Sequence, residues 1–155
     1  MEKKKDQSER RITTEDLMQL LMKDRSFSSF MNSNAGEMKE VSFENYLSKL
    51  RCEKGEPAEQ IIRRGQIEKS YGHQLFRGSR KPSRDTCLQL AFGLELDVEQ
   101  TQRLLGAAGK SVLYPRVLRD AAIIHSLHNH VSLTDTQIIL EELGLPIIGG
   151  SKKHD

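Results

Sequence analysis

The chain has 155 residues, of which 36% are hydrophobic and 30% are charged, a length that suggests one domain or two small ones. Its net charge is only +2, so the total charge does not select a class of partner. No apolar run approaches the roughly 20 residues that span a bilayer, and no secretory signal is expected. The two cysteines, Cys52 and Cys87, form neither a disulfide framework nor a ligand cluster, so we expect a cytoplasmic protein without membrane contact.

The N-terminal third contains one predicted helix. Residues 1–12 are polar and basic, and we expect a disordered tail. The following TTEDLMQLLMKD has leucines at helical spacing and either Thr13 or Thr14 as its N-cap. Residues 31–40 are predicted to be a loop, which makes 13–40 a region of one helix and a loop.

Five helices are predicted between residues 41 and 110. Capping residues and apolar spacing place them at about 42–54, 57–65, 68–77, 83–94 and 98–107. Gly78 and Pro82 end the third helix, and Ser83 caps the fourth. Cys87 lies in the apolar pattern of the fourth helix, so we expect it to pack there.

Residues 111–150 are predicted to form a helical extension of two amphipathic helices. One begins near Pro115, with apolar residues at Leu118, Ala121, Ile124 and Leu127. The other is capped by Ser132 or Thr134, with apolar residues at Ile138, Leu140 and Leu143. Both helices either pack on the core, which we favour, or form a homodimer interface, for which the helix at 14–24 is another candidate. Part of the Ile138–Leu140 run is left for such a partner or for another protein. The pattern indicates no internal repeat.

Positive charge is concentrated between Ile61 and Asp85. This stretch holds seven basic and two acidic side chains, a net charge of +5 against +2 for the whole chain. Charge runs are most often solvated faces, but this one covers two short helices joined by a tight turn. In such a pair the second helix can enter the DNA major groove while flanking cations hold phosphates.

Three motifs follow one another along this part of the chain: LRCEKG at 50–55, RGSRKP at 77–82 and LQLAFGLEL at 88–96. With them, residues from about Phe43 to Ala108 resemble the Cro and lambda-repressor helix-turn-helix family, the xenobiotic-response-element-type (XRE) regulators of bacteria. The resemblance implies an all-α fold, with a lambda-repressor-like five-helix core and extra N- and C-terminal helices. It also implies a repressor-like DNA-binding protein of transcription regulation. Three residues depart from the family pattern: Gln66 at the turn glycine, Gly72 at a β-branched position and Phe76 at a glutamate.

The resemblance also implies which residues meet DNA, with a recognition helix at about 68–77. Lysine suits guanine and glutamate suits cytosine at base edges, and the candidates there are Glu68, Lys69, Ser70, His73 and Gln74. Phosphate contacts set the register without reading sequence, and the candidates there are Arg63, Arg64, Arg77, Arg80, Lys81 and Arg84. The implied partner is double-stranded DNA.

A second function stays open, because a fold does not fix a function. The chain is alternatively a protein-interaction adaptor that keeps the helix-turn-helix scaffold without reading DNA, as Gly72, Phe76 and the terminal helices suggest. Enzymatic activity is not expected, since no nucleophile motif or phosphate-binding glycine loop occurs. No metal or cofactor is expected either, because the spacing of His125, His128 and His130 is more typical of an exposed helix end.

Overall fold

The computed structural model describes residues 12–37 and 42–150. In that part of the chain the regular structure consists of nine α-helices and one 3-10 turn, which confirms the predicted all-α class. None of the helices described there is long and apolar enough to cross a membrane. The predicted disordered tail lies outside the described residues except for Ile12, as do residues 38–40 of the predicted loop.

The chain divides into two compact units, Met1–Glu40 and Val41–Asp155. The first contains α1 (Thr14–Lys23), α2 (Phe27–Asn34) and the 3-10 turn Ala35–Glu37. Thr13 caps α1, since its hydroxyl accepts a hydrogen bond from the backbone N–H of Asp16 at 3.0 Å.

The loop predicted from residue 31 was wrong over 31–37, because α2 and the 3-10 turn cover that stretch. Ser26 caps α2, and the stacked rings of Phe27 and Phe30, three residues apart, lie 6.1 Å from centroid to centroid. Serine and asparagine dominate the rest of α2, and their low helix propensity hid this helix in the sequence.

The second unit contains seven α-helices, each close to its predicted place. They are α3 (Phe43–Lys54), α4 (Ala58–Arg64), α5 (Lys69–Arg77), α6 (Arg84–Gly93), α7 (Val98–Ala107), α8 (Leu118–His128) and α9 (Leu133–Glu142). The hydroxyls of Ser42, Ser83 and Ser132 cap α3, α6 and α9 by accepting backbone hydrogen bonds. Gly78 ends α5 in the left-handed conformation, with φ of 78°. These caps were legible in the sequence because they are local.

One hydrophobic core joins α3 to α9, and every one of these helices contributes buried residues to it. Cys87 packs in this core as predicted, and burial raises the pKa of its thiol to about 12. At Gly93, α4 crosses α6 so closely that an added Cβ would lie 2.3 Å from the carbonyl oxygen of Ile61. This crossing fixes where α4 stands, and with it the helix that follows.

The buried face of α8 matches the predicted apolar stripe in part, since Leu127 is buried and Ile124 packs against the core. Asp120, Ile123 and Leu127 are buried, whereas Leu118 is 57% exposed. The reason is an ion pair: the carboxylate of Asp120 lies 3.0 Å from the guanidinium of Arg84 in α6. This pair turns the acidic residue inward and rotates the helix relative to the apolar spacing.

The prediction that the chain lacks an internal repeat was also wrong. The α6–α7 and α8–α9 segments are two versions of one unit, shifted by 35 residues. The two segments have the same residue type at several equivalent positions, among them Arg84/Arg119, Asp85/Asp120, Thr101/Thr136, Gln102/Gln137 and Gly109/Gly144. Equivalent residues make equivalent bonds, because the Gln102 side chain binds the backbone N–H and C=O of Leu113 just as Gln137 binds those of Ile148.

Reciprocal ion pairs join the two halves of this repeat. Arg84 pairs with Asp120 at 3.0 Å and Arg119 pairs with Asp85 at 3.2 Å, and all four side chains are at most 25% exposed. Arg84 also donates to the carbonyls of Ser111 and Val112, and Arg119 donates to their equivalents, Pro146 and Ile147. Contacts exchanged in this way indicate that an approximate twofold axis relates residues 83–113 to residues 118–148.

Candidate nucleic-acid interface

The helices α4 and α5 are joined by the four residues 65–68. Gln66 adopts the left-handed conformation, with φ of 54°, a conformation that glycine adopts more readily. The side-chain amide of Gln89 donates to the carbonyls of Gly65 and Gln66, and Gln66 donates to the hydroxyl of Thr134 at 2.9 Å. The connection is therefore held by both α6 and α9.

Gly72 lies where α5 packs most closely on α4. A Cβ added there would lie 2.6 to 2.9 Å from three side-chain carbons of Ile62. Gly72 is buried, and Leu75 beside it belongs to the core. Gly72 therefore permits this close approach of the two helices, which any larger side chain would obstruct.

Substitution of Gly72 by alanine is expected to lower the free energy of unfolding by about 1–2 kcal/mol, because the clash outweighs the roughly 1 kcal/mol gained in helix propensity. Gly106 in α7 is the matched control, because an added Cβ there meets nothing within 4 Å. Gly106→Ala should raise the free energy of unfolding by about 0.5–1 kcal/mol. Urea denaturation followed by circular dichroism measures both, and equal signs for the two variants would contradict this account.

Four cations on α5 and the loop after it are exposed: Lys69, Arg77, Arg80 and Lys81. Lys69 and Arg77 lie on one face of α5 with His73 between them, at spacings of four residues. Lys69 is 75% exposed and its ammonium lies 3.3 Å from the carboxylate of Glu59. His73 is half-buried, and its carbonyl accepts a hydrogen bond from Arg77.

Two arginines are positioned by aromatic rings of α5, which sequence reasoning missed. The guanidinium of Arg80 lies 5.2 Å from the ring centre of Tyr71 and donates to the side-chain oxygen of Gln74. The guanidinium of Arg51 lies 5.9 Å from the ring centre of Phe76. Such cation–π contacts restrict the side chain but leave the charge accessible. Only the helical spacing of Tyr71 and Gln74 hinted at a shared face in the sequence.

The start of α5 is capped by Glu68. Its carboxylate accepts hydrogen bonds from the backbone N–H groups of Ser70 and Tyr71. This arrangement satisfies N–H groups that a helix start leaves without a partner. Ser70 stays exposed beside it. We infer that Glu68 shapes the helix start, which leaves Lys69 and Ser70 as the exposed polar side chains of the first turn.

Two of the predicted phosphate contacts are turned into the protein instead. The guanidinium of Arg84 donates hydrogen bonds to the carboxylate of Asp120 and to the backbone carbonyls of Ser111 and Val112. Arg64 donates to the carbonyl of Gly93 and to the carboxylate of Glu56, whose pKa is lowered mainly by that hydrogen bond. We therefore assign both a structural role. Arg63 is exposed, and within the described residues it has no ion-pair or hydrogen-bond partner.

The histidines of the C-terminal extension, His125, His128 and His130, are all exposed. Over residues 12–37 and 42–150, no group of three or more histidine, cysteine, aspartate or glutamate side chains is placed to hold a metal ion.

No protein-family model, curated protein or solved structure matches this chain. Its function must therefore be inferred from its own residues.

Proposed function

We propose that the chain is a DNA-binding transcriptional regulator that inserts α5 into the major groove of double-stranded DNA. In this proposal α3 to α7 form a lambda-repressor-like, XRE-type five-helix core within residues 41–110. The residues 13–40 and 111–150 are additions to it. The motif order and the short α4–α5 pair support this assignment.

The observation that carries the proposal is that some basic side chains of this segment are bound within the protein while others are exposed. Arg64 and Arg84 are engaged internally, whereas Lys69, Arg77, Arg80 and Lys81 are exposed around α5. Four exposed cations around one nine-residue helix create a local positive potential that attracts a polyanion. Phosphate neutralisation supplies a large share of DNA affinity. The major groove, about 12 Å wide, admits a helix.

The roles divide along this surface. Lys69, Ser70 and His73 face the base edges, with Gln74 at the margin because it accepts from Arg80. Arg77, Arg80 and Lys81 contact phosphates and set the register, and Arg63 extends the same charge from α4. Lys69 is the residue best suited to read a guanine, since its flexible ammonium can leave Glu59 for O6 or N7.

A homodimer contact is proposed on α9. In the repeat, Ile138 is equivalent to Arg103, which interacts with the hydroxyl of Tyr46 in α3. Within residues 42–150 no helix covers α9 as α3 covers α7, and Ile138, Ile139 and Leu143 are exposed. A second copy packed there would present two α5 helices to a twofold site. The adaptor function is the second candidate, because the same apolar face also suits a different protein.

Selection from a pool of random DNA duplexes tests the regulator proposal. The wild-type protein is expected to enrich one motif. Lys69→Ala should then relax the preference at one base pair and weaken binding to the enriched duplex by about 1–3 kcal/mol. Fluorescence anisotropy with a labelled duplex measures the affinity.

The matched control is Lys49→Ala, which removes an exposed lysine from α3 and should leave the selected motif unchanged. Failure to bind any duplex even at about 50 mM salt would reject the regulator and favour the adaptor. An unchanged motif in Lys69→Ala would remove Lys69 from the base contacts.

A further inference from the structure

A cavity of about 300 Å³ lies between the two halves of the repeat. Equivalent residues line it from both sides: Phe92 and Leu127, Glu95 and His130, Leu96 and Val131. The cavity therefore lies close to the approximate twofold axis that relates the α6–α7 and α8–α9 segments. Its volume is at the lower end of the range for small-molecule sites.

Three helices, α4, α6 and α8, end beside this cavity in the same backbone conformation. The non-glycine residues with positive φ in the described chain are Gln66, Glu95 and His130, with φ of 54–57°. All three line the cavity. Left-handed backbone costs about 1–2 kcal/mol at residues other than glycine, and here backbone hydrogen bonds to the last turn of each helix hold it in place.

The lining separates into an apolar wall and a polar rim. Phe92, Leu96, Leu127 and Leu133 belong to the core and form the wall. The rim carries Arg63 and Arg64 against a single acidic side chain, Glu95. Arg64 already pairs with Glu56 and lies 3.8 Å from Glu95, whereas Arg63 has no such partner in the described residues. The N-terminal end of α9 lies at the same rim and also favours negative charge.

We propose that this cavity binds a small amphipathic carboxylate, with a flat apolar body against Phe92 and Leu127 and its carboxylate on Arg63. The rim also holds the hydrogen bond from Gln66 to Thr134, which ties the α4–α5 connection to α9. A bound ligand therefore touches the segment that positions α5. Control of duplex affinity by the ligand rests on the proposed function, whereas binding itself does not.

The probe is 2-naphthoate, and 2-naphthamide serves as the uncharged ligand of the same shape. Isothermal titration calorimetry without DNA should give saturable binding of one 2-naphthoate per chain, with the amide at least about tenfold weaker because it lacks the charge-assisted bond. In ¹⁵N-resolved spectra the amide signals of Gln66, Glu95 and His130 should shift on titration.

Arg63→Met should weaken 2-naphthoate about tenfold and leave 2-naphthamide unchanged, while Arg77→Met, an equal loss of charge outside the cavity, should change neither. Thr134→Trp should block the rim and abolish binding, and Thr134→Val should retain it, with circular dichroism confirming that each variant folds.

The proposal is overturned if neither probe saturates at about 5 mM, well above the weak range of specific sites. It is equally overturned if Arg63→Met and Thr134→Trp bind 2-naphthoate like the wild type. Either failure leaves the duplex-binding proposal intact, because the titration contains no DNA.

Discussion

Replacing Asp120 by alanine is expected to lower the free energy of unfolding by about 3 kcal/mol. Removing one partner of a buried ion pair leaves the other charge without compensation, which typically costs 3–5 kcal/mol. Asp120 is 5% exposed and binds both the guanidinium of Arg84 and the backbone N–H of Tyr114. Arg84 is 25% exposed and regains some hydration, so we place the loss at the lower end. Urea denaturation followed by circular dichroism measures it.

Glu141→Ala is the control for this experiment, since Glu141 is an exposed carboxylate of the adjoining helix. It should change the free energy of unfolding by no more than about 0.5 kcal/mol. The double variant Arg84→Met with Asp120→Leu removes both charges and should lose less than the two single substitutions together. Additive losses, or an Asp120→Ala variant as stable as Glu141→Ala, would show that the reciprocal ion pairs do not hold the repeat together.

The double variant Arg77→Ala with Arg80→Ala is expected to weaken duplex binding by about 10- to 100-fold at roughly 100 mM salt. Each phosphate contact adds about 0.9 to the slope of log affinity against log salt. Loss of two contacts should therefore flatten the slope by about 1.8, with little change in which sequence is preferred. Anisotropy titrations at four or five salt concentrations give both quantities.

Lys49→Ala with Arg103→Ala removes the same charge from α3 and α7, where both side chains are exposed. This control should keep the wild-type slope. If the two double variants flatten the slope equally, the net charge of the protein rather than a localised surface governs binding, and α5 loses its proposed role. Circular dichroism must show that loss of the Arg80–Tyr71 contact leaves the fold intact.

Much of the helical layout could be predicted because it depends on neighbours in the chain. Ser42, Ser83 and Gly78 act through bonds to residues no more than five positions away, so their effect is visible in sequence. The helix Phe27–Asn34 was missed because serine and asparagine, which have low helix propensity, make up most of it. The repeat was missed because only a few equivalent residues are identical. Two dipeptides nevertheless occur twice at the same distance of 35 residues: Arg84-Asp85 recurs as Arg119-Asp120, and Thr101-Gln102 recurs as Thr136-Gln137.

The sequence indicated which segment forms the candidate interface, but not which of its side chains are exposed there. Clustered charge identified residues 61–85, since charge is a property of composition. Which arginines remain exposed depends on partners far away in sequence, such as Asp120 for Arg84 and Gly93 for Arg64. Likewise, the closeness of Ile62 that requires Gly72 is a distance between two helices, and no local pattern encodes it.

The sequence by itself determined that this protein is all-α, approximately where the helices of its second unit lie, and where its positive charge is concentrated. Capping, periodicity and composition, which carry this information, act over a few residues. Only the tertiary structure decided the rotation of α8, the inward turn of Arg84 and Arg64, and the cavity between the repeat halves. These depend on ion pairs and close approaches between residues more than 25 positions apart, where the energy of one contact outweighs the preference of the local sequence.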